Sequence, residues 1–244
     1  MSFEAAKHEL RIVGVNLLQA EEGVISLRDY KLHMQMLGYL HRLYPDVHVT
    51  LHAGELSPFV VAQNELKYHI DDAVHIAHAD RIGHGVDIIH EDNAEKLFAD
   101  MAKNHIMVEI NLTSNEQTLD IKGKDHPLPW YLTHDVPVAL STDDEGVSRT
   151  NLTREYQRAV LDYQLNYSTI KKIDRNSLTY SFLSGQGLWL DADYSQLVTP
   201  CTNDQLGRLS PSSNCQAFLD ANEKARLQWE LETRFNQFEA NYRS

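Results

Sequence analysis

The sequence predicts an α/β fold built on a parallel sheet, with the pattern of a TIM (β/α)8 barrel. Two observations predict it. Short apolar runs alternate with longer amphipathic stretches, as βα units require. The polar residues able to do chemistry stand at the C-terminal ends of those runs, the end at which the βα loops of such a barrel gather.

The elements follow in order. Arg11 to Leu18 is a first run, followed by an amphipathic segment over about Leu27 to Leu43. Val47 to Leu51 is the second run, and it delivers His52; a helix over about Tyr68 to His78 follows. Ala79 to His84 is the third, with a helix over about Asp92 to Asn104. Ile106 to Asn111 is the fourth, closed by a helix near Pro129 to His134. Val136 to Ser141 is the fifth, with helices near Leu152 to Tyr163 and Ser168 to Leu183.

After Trp189 the pattern changes, which divides the chain into residues 1–189 and an extension over 190–244. Pro200, Gly207 and Pro211 break residues 190–212 into a loop. A last helix is expected from Ser213, with Gln216 completing a capping box. Phe218, Ala225, Trp229, Phe235 and Phe238 fall near one face of it, at packing positions.

The chain has 244 residues, 42% of them hydrophobic, and a formal net charge of −13. Acidic residues are spread along it, a balance that excludes nucleic acid as the main partner because phosphate binding wants clustered Lys and Arg. No run approaches the roughly 18 apolar residues of a membrane helix. Cys201 and Cys215 could close a short loop in an oxidising compartment or stand as two free thiols.

The candidate functional residues are His52 and Glu55 after the second run, His84 after the third, and Asp143 and Asp144 after the fifth. One histidine at a strand end is ordinarily structural. Such groups at the ends of three strands are brought over one mouth by a barrel, and they suit metal-assisted hydrolysis. A histidine and an aspartate can bind zinc with a position left open for water, and a nearby His and Glu can serve as base and acid. His75, His78, His126 and His134 are read as surface residues of helices or their flanks.

At these positions the chain resembles the adenosine deaminases, of the metal-dependent hydrolase (amidohydrolase) superfamily. His52-Ala53-Gly54-Glu55, Arg81-Ile82-Gly83-His84-Gly85 and Ser141-Thr142-Asp143-Asp144 occur in that family's order, joined by Asn111-Leu112-Thr113-Ser114-Asn115 and Leu152-Thr153-Arg154-Glu155-Tyr156. The resemblance covers about Ile12 to Leu183 and implies a zinc-dependent deamination of adenosine or deoxyadenosine to inosine and ammonia. It implies that His52 and Asp143 are zinc ligands and that Glu55 protonates purine N1. His84 would deprotonate the attacking water or stabilise the charge that results, and Asp144 would bond N7 of the base.

The resemblance also implies what differs. The family's first strand carries His-x-His, and this sequence has none. Val13 to Leu17 resembles the family's fourth strand, so the five units correspond to strands 4–8, and residues 1–9 to the end of the preceding helix. A barrel truncated in this way holds about half the zinc ligands, and the chain alone is expected to be inactive. Its open sheet edges would favour self-association or pairing with the N-terminal segment. Gln19 takes the place of a glycine that packs on the purine, and Glu145 the place of a common proline. Two alternatives stay open: an amidohydrolase acting on another aminopurine or purine nucleotide, and a non-catalytic module that has lost its metal. The bacterial members it resembles are often exported, which favours the periplasm over the cytoplasm.

Overall fold

The protein is described by a computed structural model covering residues 1–242. It forms two compact units, the first Met1–Ile173 and the second from Asp174 onward. The first unit contains a four-stranded sheet, β1 (Thr50–Ala53), β2 (Arg81–His84), β3 (Met107–Ile110) and β4 (Val138–Leu140), in the spatial order β1-β2-β3-β4. All three pairings are parallel. The connections are α3 (His69–His75), α4 (Ala94–Lys103) and, between β3 and β4, α5 (Leu112–Leu119) with α6 (Leu128–Thr133). α1 (Ser2–His8) and α2 (Val24–Leu43) precede the sheet; α7 (Glu145–Ser148), α8 (Leu152–Tyr163) and α9 (Tyr167–Thr179) follow it.

The strands are short, and β2, β3 and β4 are almost wholly buried, as parallel strands covered by helices must be. Leu51, Ile82, Val108, Ile110 and Val138 from the sheet meet Met34, Phe98, Leu128 and Tyr131 from the helices in one core. Helix starts follow local chemistry: the Asn151 side chain accepts the Arg154 N–H to open α8.

The first apolar run departs from expectation. Among the described residues its backbone pairs with its neighbour through Val15 alone, which bridges Val49 in parallel; the Val15 N–H reaches the His48 carbonyl at 2.9 Å. Ile12, Val13, Leu17 and Leu18 around it are exposed. With one neighbour and no partner on its other side, the run gains too few ladder bonds to hold strand geometry. Two helices within loops escape the periodicity argument. α5 starts within the Asn-Leu-Thr-Ser-Asn segment and runs beyond it, and α7 follows the Asp pair.

In the second unit α10 (Ser213–Ala221) and α11 (Glu223–Ala240) replace the single expected helix, and the chain turns at Asn222. The cap is Ser212, one residue earlier than the Ser213 that the sequence suggests; its Oγ accepts the Cys215 N–H. Leu188, Val198, Leu219, Ala225 and Trp229 form this unit's own core around a disulfide between Cys201 and Cys215. The two cysteines are 14 residues apart, and closing a loop of that size is worth about 3 kcal/mol in the unfolded chain. Replacing both with serine should therefore lower the denaturant midpoint of the second unit by roughly that stability, and a midpoint unmoved by reductant would contradict it.

Candidate active site

The sheet presents its C-terminal ends together. In the β1–β2 ladder His52 is level with Gly83 and Ala53 with His84, so the two histidines emerge one step apart on adjacent strands. Their ring centroids lie 5.0 Å apart. Asp143 arrives from the end of β4, and a ligand atom from each of His52, His84 and Asp143 falls within 4.8 Å of the others. His84 Nε2 stands 3.7 Å from Glu55 Oε2 and 3.9 Å from Asp143 Oδ2. Four of the six residues singled out in the sequence thus meet at one point.

The other two lie at its rim. Asp144 is exposed at the start of α7, near enough for its charge to act on His52. Gln19, also exposed, shares with His52 a cavity of about 20 Å³ whose wall includes Glu21 and Tyr30.

Turn geometry explains how these side chains are aimed. Gly54 has φ +72°, and a Cβ there would sit 2.4 Å from Asp87 Oδ1. Only glycine lets the chain reverse at that point, and the reversal turns Glu55 back over the strand ends. His84 and Asp143 also have positive φ, 70° and 53°, strain that the surrounding bonds maintain. The two turns interlock: the Gly85 N–H donates to the Ala53 carbonyl at 3.0 Å, and the Val86 N–H to the Gly54 carbonyl at 2.8 Å.

Electrostatics follow from burial. Burial pushes the Glu55 carboxyl above its usual range, and nearby Asp143 adds to the shift. Burial, then the neighbouring His84, pushes the His52 imidazole down, which favours the neutral form a metal needs. The Ser114 hydroxyl donates to Asp143 Oδ2 at 2.7 Å, and the Asn16 amide contacts His52 Nδ1 at 3.2 Å. Both are supports of the kind that orient metal ligands.

Several supporting residues carry no signal in the sequence. The Glu21 carboxylate, 4% exposed, accepts the Gly54 N–H at 2.9 Å and the Glu55 N–H at 2.7 Å. Nδ1 of the buried His69 meets the same oxygen as the Gly54 N–H, at 2.5 Å, and its ring stacks on Tyr30. Asp87 is buried alongside, and burial holds its carboxyl well above the usual range. Glu21→Gln should cost about 1–3 kcal/mol, because an NH2 group then faces one of two amide donors; urea unfolding of wild type and variant measures it, and equal midpoints would deny the contact.

His126 corrects the sequence reading as well. It is buried, not at the surface, and bonded to Asn115 and to the backbone of α6. His134 is half-buried and stacks on Phe98, with ring centroids 4.2 Å apart. His75 is exposed, as expected, but His78 lies beyond the end of α3 and not on it.

The sequence model of the adenosine deaminase family matches residues 3–188. The chain belongs to the adenosine deaminase family. The adenosine deaminase of Aliivibrio fischeri is 36% identical over 140 residues, which are 57% of this chain and 39% of that protein. The enzyme of Klebsiella pneumoniae is 37% identical over 141 residues, with the same coverages. The matched stretch is therefore about two fifths of the length of these curated relatives.

Solved structures agree on the fold. The adenine deaminase of Arthrobacter aurescens superposes with a TM-score of 0.57 at 20% identity, over 75% of this chain and 52% of that one. Arabidopsis ADAL complexed with IMP gives 0.56 at 27% identity, over 74% and 49%. An amidohydrolase from Burkholderia ambifaria with bound Zn gives 0.50 at 20%, over 60% and 39%. The parallel sheet with its helices is a truncated barrel of this family's type.

The family implies a zinc ion, and the donors present suit it in part. A neutral imidazole and a carboxylate from different strands, each with an outer hydrogen-bond partner, are ordinary zinc ligands. They make up two donors of the three or more a catalytic zinc takes.

Proposed function

We propose that the chain supplies the acid, a histidine that deprotonates the attacking water or stabilises the charge that results, and two metal ligands for hydrolytic deamination of a purine nucleoside. The observation that carries this reading is the convergence of His52, Glu55, His84 and Asp143 from three strand ends. When bound, zinc would supply Lewis acidity and lower the pKa of the attacking water, with His52 and Asp143 among its ligands.

The chain's own residues do the rest. Glu55, whose carboxyl burial shifts toward the protonated form, donates its proton to purine N1 and makes C6 electrophilic. Asp144, at the rim, holds the base through N7. Gln19 stands beside His52 where the base would pack. The water oxygen adds to C6, a proton passes from it to the exocyclic amine, the C6–N bond breaks, and ammonia leaves the oxo purine.

Adenosine or deoxyadenosine is the substrate favoured by the identity to bacterial adenosine deaminases. The likeness to a plant protein crystallised with IMP supports a nucleotide as the second reading. An exported location is part of the proposal and is supported by the Cys201–Cys215 bridge, since such bonds persist in oxidising compartments.

The test is a panel of adenosine, deoxyadenosine, adenine, AMP and N6-methyl-AMP. It is assayed by ultraviolet absorbance with the 244-residue chain alone, and again with the barrel's complementary N-terminal part supplied. Zinc-dependent turnover of one of them is expected only in the completed barrel. A completed, zinc-loaded barrel inert toward the whole panel would leave the non-catalytic reading. Tightly held, stoichiometric zinc in the chain alone would contradict the incompleteness of its ligand set.

A further inference from the structure

His84 does not face the site unaided. Its Nδ1 is 2.9 Å from one end of the Asn115 amide, and the other end is 2.9 Å from Nε2 of His126. On the far side of His126, Nδ1 lies 3.1 Å from the backbone N–H of Leu128, the first residue of α6. Asn115 is completely buried; His84 and His126 are each 1% exposed. In such a row every donor must find an acceptor, because water cannot stand in.

The row has one fixed end. A backbone N–H can only donate, so Nδ1 of His126 must accept. Burial pushes the His126 imidazole down to about 3, so the ring is neutral and carries one proton. That proton is on Nε2, and it must meet the oxygen of Asn115. The amide NH2 group is then turned toward His84, whose Nδ1 accepts and whose own single proton sits on Nε2.

The structure draws the amide oxygen toward His84. That orientation sets the protonated Nδ1 of His126 against the Leu128 N–H, two donors at 3.1 Å. A half-turn of the amide exchanges two atoms of nearly equal size and removes the conflict. Asn111 does not compete, because its amide nitrogen is 3.4 and 3.5 Å from the two ring nitrogens of His84 and so prefers neither.

We infer that Asn115 and His126 are positioning residues that hold His84 in the Nε2–H tautomer, so that it faces the site as a hydrogen-bond donor. Of the two roles open to His84, this selects stabilisation of negative charge on the attacking oxygen. A base role would put a second proton on the ring and set Nδ1–H against the Asn115 NH2 group. It also removes His84 from the metal ligands, leaving His52 and Asp143.

The inference rests on the proposed place of His84 in the site, but its test needs no turnover. Histidine labelled with nitrogen-15 is incorporated into the 244-residue chain, and NMR correlation of ring nitrogens with ring protons identifies the protonated atom. His84 and His126 are both expected with the proton on Nε2, in about tenfold excess or more. Asn115→Asp offers only oxygens, and is expected to move the His84 proton to Nδ1 while leaving His126 unchanged. Zinc is expected to perturb His52 and leave the His84 Nε2–H in place.

A wild-type His84 protonated on Nδ1 would overturn the inference, and so would an aspartate variant, folded by circular dichroism, with the tautomer unmoved. The wild-type spectrum decides the matter if that variant does not fold. The Nε2–H form in a completed barrel that deaminates nothing would count against the functional reading alone.

Discussion

Glu55→Gln in the completed barrel should lower deamination by about 10²–10⁴-fold, the usual worth of a positioned general acid. Glutamine keeps the shape of the side chain and the backbone N–H held by Glu21, so the melting temperature should not move. KM should change much less than kcat, since proton transfer to N1 belongs to the transition state. The pH profile supplies a second readout. Burial raises the Glu55 carboxyl, and the active form is the protonated one. Activity should therefore persist below that raised pKa and fall as pH rises through it. The variant should lose this limb. The acidic limb should remain in part, because His52 must be neutral to bind metal and burial delays its protonation to lower pH. A variant with the wild-type rate would remove Glu55 from the chemistry.

Arg175→Ala should destabilise the second unit by about 3–5 kcal/mol, the cost of leaving a buried partner charge unpaired. Arg175 Nε lies 2.6 Å from Glu232 Oε1 and its terminal nitrogen 2.8 Å from Oε2, a bidentate pair. The Glu232 side chain is 3% exposed. The guanidinium also lies 5.1 Å from the Trp189 ring centroid and 5.4 Å from that of Tyr194, so truncation removes packing as well as charge. Chemical denaturation followed by tryptophan fluorescence reads this, since Trp189 and Trp229 both belong to this unit. The double variant with Glu232→Met should recover much of the loss, because an apolar pair avoids the buried charge. A single variant within about 0.5 kcal/mol of wild type would show that the pair contributes little.

Much of the site is legible in residue order alone. His52, Glu55, His84 and Asp143 stand at the ends of apolar runs, and a parallel sheet obliges strand ends to share one face. The order of short motifs along the chain then points to the family. Periodicity also locates α8 to the residue and most other helices to within a few residues. It overstates the first run, whose residues are apolar enough for a strand but make one bridge. It misses α5, whose polar residues support the site and whose apolar ones are Leu112 and Leu119 alone.

The supporting residues are the part that sequence cannot show. Glu21 is 33 residues from the glycine whose N–H it accepts, and Asn115 is 31 from His84. Nothing in local spacing distinguishes such residues from a solvated glutamate or a loop asparagine. His126 is the clearest case: beside a short helix it reads as surface, yet burial keeps it neutral and the Leu128 N–H makes it the fixed end of a row that reaches His84.

The sequence by itself determines the alternation of strands and helices, the residue types offered as acid and metal donors in the proposed reaction, and the absence of His-x-His within these residues. Those are properties of residue type and order, and pattern carries them. Only the tertiary structure decides which buried polar groups face one another, and hence where the protons sit. A hydrogen bond depends on distances of about 3 Å between atoms remote in the chain, and only folding sets those distances.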